Sequence, residues 1–153
     1  MSRIAYVNGR YAPLQEPLIT VQDRGFQFAD AVYEVWPVRG GLLLDQNGHL
    51  ARLRRSLREL SIPAPMTDPA LLAAVRETLR RNRVRDGYVY VQVSRGAAAN
   101  RDHPFPNPAL APTLVITATR LNMATVADRA AKGVAAITTP DIRWGRCDIK
   151  TVG

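Results

Sequence analysis

Apolar positions along the chain fall into short alternating runs and two helical stripes. Ile4-Ala5-Tyr6-Val7 meets Asn8-Gly9, a pair suited to a two-residue turn because both residues accept positive φ, so the first twenty residues predict a hairpin. Asp23-Arg24-Gly25 reads as a polar turn leading into an aromatic strand at Phe26-Gln27-Phe28. Residues 31–44 open with AVYEVWPVR, rich in β-formers, and turn at Gly40-Gly41, which predicts a second hairpin. Pro37 has no N–H to give a ladder, so that strand is expected at an edge or a bulge.

The pattern then changes period. In residues 49–60 (HLARLRRSLREL), Leu50, Leu53, Leu57 and Leu60 share one helical face, with Arg54, Arg55 and Arg58 mostly off it. Pro63 and Pro65 end that helix. A second helix is expected from Asp68 as N-cap and Pro69 at the first helical position, with Leu71, Leu72, Val75 and Leu79 as its buried stripe. Asp86-Gly87 turns into the alternating strand YVYVQVS. Residues 97–112 form a long loop with four prolines, and TLVITATR (113–120) and GVAAITT (133–139) read as two further strands, separated by a crossing segment, LNMATVADRAAK. The expected fold class is α+β. Residues 1–121 form an N-terminal two-layer domain of antiparallel sheet with two helices. Residues 122–153 are a linker and the first strands of a larger, incomplete α/β-type domain.

Composition narrows the class. At 153 residues with 46% hydrophobic and 22% charged positions, the chain is globular and long enough for a real core. No apolar run approaches the ~20 residues of a membrane helix, and MSRIAYVNGR lacks the apolar centre of a secretory signal. The single cysteine, Cys147, permits no internal disulfide, so the default compartment is the cytoplasm. A formal net charge of +8 raises nucleic acid as a partner. The excess is nearly all arginine, however, and aromatic residues do not interleave with the 52–58 arginines as a stacking surface requires. A basic nucleic-acid-binding module is therefore a distant alternative.

Phosphate-loop and zinc motifs are missing from the sequence, and two histidines do not assemble a convincing Ser-His-Asp triad. What remains is Lys150, His49, Arg52, Tyr33 and the Arg101-Asp102-His103 stretch. A lysine becomes a nucleophile where burial or neighbouring positive charge disfavours its ammonium form. Arg143 and Arg146 precede Lys150, and an extended strand would put Arg146, Asp148 and Lys150 on one face. Taken singly, each of these residues reads as well as a solvated surface group.

Their joint order carries more weight. DIRWGRCDIK (141–150) resembles the lysine segment of the fold-type IV pyridoxal-phosphate enzymes, the superfamily of D-amino-acid and branched-chain aminotransferases. DRGFQFADAVYEV (23–35), GHLARLRRSL (48–57) and VYVQVSRGAAANRDHPFP (89–106) resemble the same family in the same order. The D-amino-acid aminotransferase branch is the most similar. The resemblance implies pyridoxal 5'-phosphate as cofactor, with Lys150 forming the Schiff base to its aldehyde and moving the proton at the substrate Cα. It implies that Arg52 holds the cofactor phosphate, where a guanidinium offers a bidentate grip. Tyr33 would border the substrate. Arg101 and His103 would bind its carboxylate, reaching in from the partner subunit of a homodimer. For His49 a structural role and a site role both stay open.

The implied reaction is transamination between an amino acid and a 2-oxo acid, for example D-alanine with 2-oxoglutarate. An aminodeoxychorismate lyase, an (R)-amine transaminase or a branched-chain aminotransferase would share the same lysine and arginine framework. Family members are roughly twice as long, and the implied missing half carries the acid that pairs with the pyridine nitrogen and completes the phosphate cup. The expectation is an N-terminal portion, inactive alone. No metal, nucleic acid or membrane is expected in its function.

Overall fold

A computed structural model describes residues 3–16, 19–140 and 145–153. The predicted first hairpin is present as β1 (Ile4–Val7) and β2 (Arg10–Pro13). Asn8 and Gly9 both take positive φ, 47° and 94°, as the turn requires. Next comes a five-residue helix, α1 (Arg24–Phe28), where the sequence suggests a turn into an aromatic strand. Two local features favour the helix. The Asp23 side chain accepts from the Gly25 N–H at 2.8 Å, capping the first turn. Ala29 then takes the left-handed conformation and closes the last turn onto Arg24.

The second hairpin joins β3 (Ala31–Arg39) to β4 (Leu42–Leu43) through Gly40-Gly41. Pro37 accepts from the Leu44 N–H at 2.9 Å but has no N–H to return, and the β3–β4 ladder stops beside it. Two long helices follow, α2 (Gln46–Glu59) and α3 (Asp68–Arg81). Thr67 is the N-cap of α3, one residue before the expected cap, and Asp68 sits in the first turn as an ion-pair partner of Arg54. The remaining strands are β5 (Gly87–Ser94) and β6 (Thr113–Arg120), joined by the expected long loop.

All six strands form one antiparallel sheet in the order β2-β1-β6-β5-β3-β4. The alternation read from the sequence decides its two faces. Val32, Trp36 and Val38 of β3, Val89, Val91 and Val93 of β5, and Leu114, Ile116 and Ala118 of β6 are buried together against Leu50, Leu53 and Leu57 of α2 and Leu71, Val75 and Leu79 of α3. This is the two-layer α+β arrangement expected. Apolar burial at roughly 25 cal/mol per Å² makes these stripes the main cohesive force of the fold. The opposite sheet face carries half-buried Tyr33, Val35, Tyr88 and Tyr90.

The C-terminal part departs from the sequence reading. The crossing segment contains a helix, α4 (Met123–Lys132), with no buried residue. Residues 133–139, expected to be a strand, have no ladder partner, and Val134 and Ile137 are 93% and 91% exposed. A β-prone sequence becomes a strand only where a neighbour takes its N–H and C=O groups, and no described residue does so here.

Candidate active site

The chain's last described residues return to the N-terminal sheet. Thr151 makes an isolated bridge to Val32. Tyr33 N–H donates to the Lys150 carbonyl at 2.9 Å, and Val152 N–H to the Ala31 carbonyl at 3.1 Å. This edge of β3 is free because β4 is only two residues long and pairs at the far end of the strand. Lys150 is therefore placed by backbone pairing to β3, although the segment before it is not the extended strand expected. Residues 145–148 form turns, Ile149 is buried, and Cys147 is exposed. Asp141 and Arg143 lie outside the described residues.

Helix α2 clamps the segment from the other side. The Lys150 N–H donates to the Ser56 hydroxyl at 3.2 Å, and Arg55 donates to both the carbonyl and the carboxylate of Asp148. Arg146 donates to Glu59 at 2.9 Å and to Asp148 at 3.0 and 3.1 Å. The Arg146 hydrogen bonds hold the Asp148 carboxyl below its usual range. Arg52, Ser56 and Glu59 follow one another along one side of the helix at the i, i+4, i+7 spacing. One helix thus carries both the predicted phosphate ligand and the clamp on the lysine.

Lys150 Nζ stands 4.1 Å from the centroid of the Tyr33 ring, a cation–π distance. Tyr33 in turn stacks on Tyr90 at 5.5 Å, and Tyr90 donates its hydroxyl to Gln92 at 2.6 Å. Burial, with Tyr33 alongside, raises the Tyr90 phenol above its usual range. Tyr33, Arg52, Asp148, Ile149, Lys150 and Thr151 line a cavity of about 350 Å³. Of the residues singled out from the sequence, Tyr33, Arg52 and Lys150 therefore meet in one place. Among the described residues no carboxylate pairs with the Lys150 amine, because Asp148 is held by Arg55 and Arg146.

Arg52 has a partner that the sequence reading does not single out. Glu34 has no solvent exposure, and it accepts from Arg52 Nε at 2.6 Å and Nη2 at 2.7 Å. His49 Nδ1 lies 2.8 Å from the same carboxylate, giving His49 a structural partner. The Glu34 hydrogen bonds raise the Arg52 guanidinium above its usual range. Arginine's two-armed edge is thus committed to Glu34, and Nη1 is the part of the guanidinium outside that fork. The signal for Glu34 was available in the sequence: Val32, Glu34, Trp36 and Val38 share the buried face of β3, and one carboxylate on an apolar stripe requires a cationic partner.

Arg101 and His103 do not join this cavity. They are exposed on the 95–112 loop, where Arg101 lies 4.5 Å from the Phe28 ring centroid and the His103 ring 5.6 Å from it. His103 lines a second cavity of about 740 Å³ with Arg24, Phe28 and Phe105, and this cavity shares Thr151 and Gly153 with the first.

The basic face of α2 is largely neutralised by its own surroundings. Arg52 pairs with Glu34, Arg54 with Asp68 and Arg55 with Asp148. Little of it remains to track a phosphate backbone. No helix among the described residues is long and apolar enough to cross a membrane.

The layered α+β architecture brings a lysine at a sheet edge and an arginine on the helix behind it to one cavity, the juxtaposition that the sequence resemblance leads one to expect. Comparison with known proteins agrees. The family described as Amino-transferase class IV matches residues 31–153. A D-alanine aminotransferase of Staphylococcus epidermidis is 37% identical over 147 residues, 96% of this chain and 51% of the relative. The branched-chain amino acid aminotransferase of Escherichia coli superimposes with a TM-score of 0.70 at 17% identity, over 79% of this chain and 42% of that one. The 4-amino-4-deoxychorismate lyase of Pseudomonas aeruginosa gives a TM-score of 0.57 at 26% identity, over 76% of this chain and 39% of that one. The chain belongs to the amino-transferase class IV family. It spans about half the length of the curated relatives it matches.

The family is pyridoxal-phosphate dependent, and the donor set fits such a group. A partly buried amine, without a carboxylate partner among the described residues, and a guanidinium beyond Glu34's fork line the same cavity.

Proposed function

We propose that this chain is the N-terminal part of a pyridoxal-phosphate-dependent aminotransferase that exchanges an amino group between an amino acid and a 2-oxo acid. D-Alanine with 2-oxoglutarate is the favoured pair. The observation that carries the reading is the Lys150 amine over Tyr33, in a cavity shared with Arg52. The 37% identity to a D-alanine aminotransferase across 96% of the chain supports the choice of substrate. We also place a domain boundary between residues 121 and 122, and expect a cytoplasmic homodimer.

In this reading, pyridoxal 5'-phosphate supplies an aldehyde that links to an amine and a ring that accepts electron density when a bond at the substrate Cα breaks. Lys150 would provide the linking amine and, as a free amine, would hold and move the proton at the substrate Cα. Its reach is set by the β3 pairing and the Ser56 contact, so the amine is held to one place. Tyr33 floors that place. Arg52 would hold the cofactor phosphate by the part of its guanidinium that Glu34 leaves over, and Glu34 fixes its plane. Arg101 and His103 receive the substrate carboxylate, the guanidinium as a fixed positive charge and the imidazole as a hydrogen-bond donor.

A second reading is a lyase that releases pyruvate from an aminodeoxychorismate-like substrate, favoured by the 26% identity to the Pseudomonas aeruginosa lyase. The two are separated by a panel of D- and L-amino acids and 4-amino-4-deoxychorismate on the whole protein, followed by the cofactor's absorbance and by pyruvate release. Amino transfer from D-alanine to 2-oxoglutarate is the expected outcome. Turnover confined to the chorismate derivative would establish the lyase instead.

A further inference from the structure

This inference rests on the reading of Arg101 and His103 as the ligands of the substrate carboxylate. Neither side chain is buried, and a loop of this length does not fix them unaided. What lies beneath the loop is a cluster almost withdrawn from water: Arg24, Asp30 and Arg95, with side-chain exposures of 5%, 11% and 7%. Asp30 Oδ2 accepts from Arg24 Nε at 2.9 Å and Arg95 Nε at 2.7 Å, and Oδ1 accepts from Arg95 Nη2 at 3.0 Å. Burial pushes the Asp30 carboxyl up, but the two arginines outweigh it and leave it below its usual range.

One carboxylate against two guanidiniums leaves a buried positive charge that must be solvated by something else. Backbone carbonyls do this. Arg95 Nη2 donates to Leu60 at 2.7 Å and Nη1 to Ser61 at 2.9 Å, at the end of α2. Arg24 Nη1 donates to the carbonyl of Asp102 at 2.7 Å and Nη2 to that of His103 at 3.4 Å. The loop's own backbone is therefore part of the solvation shell of a buried charge, and displacing it would strip Arg24 of those acceptors.

The same segment holds the loop at other points. The Arg24 N–H donates to the Gly96 carbonyl at 2.9 Å, and Gln22 Nε2 donates to that of Ala99 at 2.7 Å. Phe28, one turn along α1 from Arg24, takes the Arg24 guanidinium at 4.7 Å on its ring, and the Arg101 guanidinium and the His103 ring rest on it as well. Arg95 lies 4.1 Å from the ring centroid of Phe105, on the far side of His103 in the chain.

We propose that the Arg24–Asp30–Arg95 cluster, together with Phe28, is the positioning device of the substrate-carboxylate loop. It fixes the backbone at Asp102 and His103 so that Arg101 and His103 are presented as a pair. These residues act through the loop and are positioning residues, not ligands.

The test uses the whole protein loaded with pyridoxal 5'-phosphate and assayed with D-alanine and 2-oxoglutarate, with Arg101→Ala as the reference. Arg24→Lys keeps the charge but cannot span Asp30 and two carbonyls. It is expected to raise KM for D-alanine about 10-fold, the scale of one misplaced binding contact, with kcat within about 3-fold and the cofactor spectrum unchanged. Phe28→Leu leaves the buried cluster intact and removes the ring, so it should also raise KM, and Phe28→Tyr should restore it. The Phe28 pair carries the test if Arg24→Lys does not fold. Wild-type KM values in Arg24→Lys and Phe28→Leu, beside a raised KM in Arg101→Ala, would overturn the positioning role alone. An unchanged KM in Arg101→Ala would overturn the carboxylate reading beneath it, and this inference with it.

Discussion

The Glu34 carboxylate, fully enclosed by the core, holds Arg52 in a two-point fork at 2.6 and 2.7 Å. Arg52 is itself 44% exposed on its side chain, so it carries a buried anchor at one edge and lines the cavity as well. The pair links core to site: β3 supplies the anchor, α2 supplies the guanidinium. Glu34→Gln keeps the shape but replaces a charge-assisted fork with a neutral amide. It should lower the stability of the whole protein by about 1–3 kcal/mol, measured by chemical denaturation. Wild-type stability in Glu34→Gln would contradict the anchoring role.

Gly25 is a point of close approach between α1 and β5. A methyl group added there would lie 2.8 Å from Ser94 Cβ and 2.9 Å from Asp23 Oδ1, the atom that caps the helix. Asp23 Oδ2 also accepts from the Ser94 hydroxyl at 2.9 Å, so cap and sheet would be strained together. Gly25→Ala is expected to cost about 1–3 kcal/mol, the usual range for overpacking. A thermal melt that matches the wild type would show that the contact relaxes without penalty.

Asp30 gives the fold a pH dependence with a definite sign. Its folded-state carboxyl lies below the usual range because Arg95 and Arg24 outweigh burial. Its contribution is therefore fully present above the unfolded value, near pH ~4, and is lost as pH falls through the lower folded value. Facing it are the guanidiniums of Arg24 and Arg95, and His103 lines the cavity beside them. Asp30→Asn should cost about 3 kcal/mol or more at pH 7, as expected when one partner of a buried ion cluster is removed. The difference in Tm from wild type should narrow below pH ~4. A difference that stays constant from about pH 7 to pH 3 would contradict the assignment.

The clamp on Lys150 divides into weak and strong parts. Arg55–Asp148 and Arg146–Glu59 are exposed pairs, weakened by solvent screening and sensitive to salt. Ser56 is buried and accepts the Lys150 N–H. Ser56→Ala should therefore speed hydrogen exchange at the Lys150 amide more than Asp148→Ala does. Equal protection in both variants would place the clamp elsewhere.

Much of the fold is legible because local signals and burial agree. The Asn8-Gly9 and Gly40-Gly41 turns, the Leu50–Leu53–Leu57 stripe and the Val89–Val91–Val93 alternation each point to one element and one face. Residues 23–28 misled because Phe26 and Phe28 are β-prone, while the deciding features, the Asp23 cap and the left-handed Ala29, are conformational. Residues 133–139 misled because strand propensity says nothing about whether a ladder partner exists. At the site, Lys150, Arg52 and Tyr33 follow from family resemblance and meet in space. Glu34 stands out as a lone carboxylate on the apolar face of β3, but its pairing with Arg52, like that of Asp30 with Arg95, joins positions far apart in the chain, which no local pattern brings together.

Lys150→Ala in the whole protein tests the central claim most directly. The amine over Tyr33 is the group on which the proposed chemistry turns. The variant should keep its fold, lose the absorbance of the cofactor's covalent link, and show amino transfer from D-alanine to 2-oxoglutarate reduced by a factor of about 10³ or more. Turnover and absorbance equal to the wild type would contradict the account.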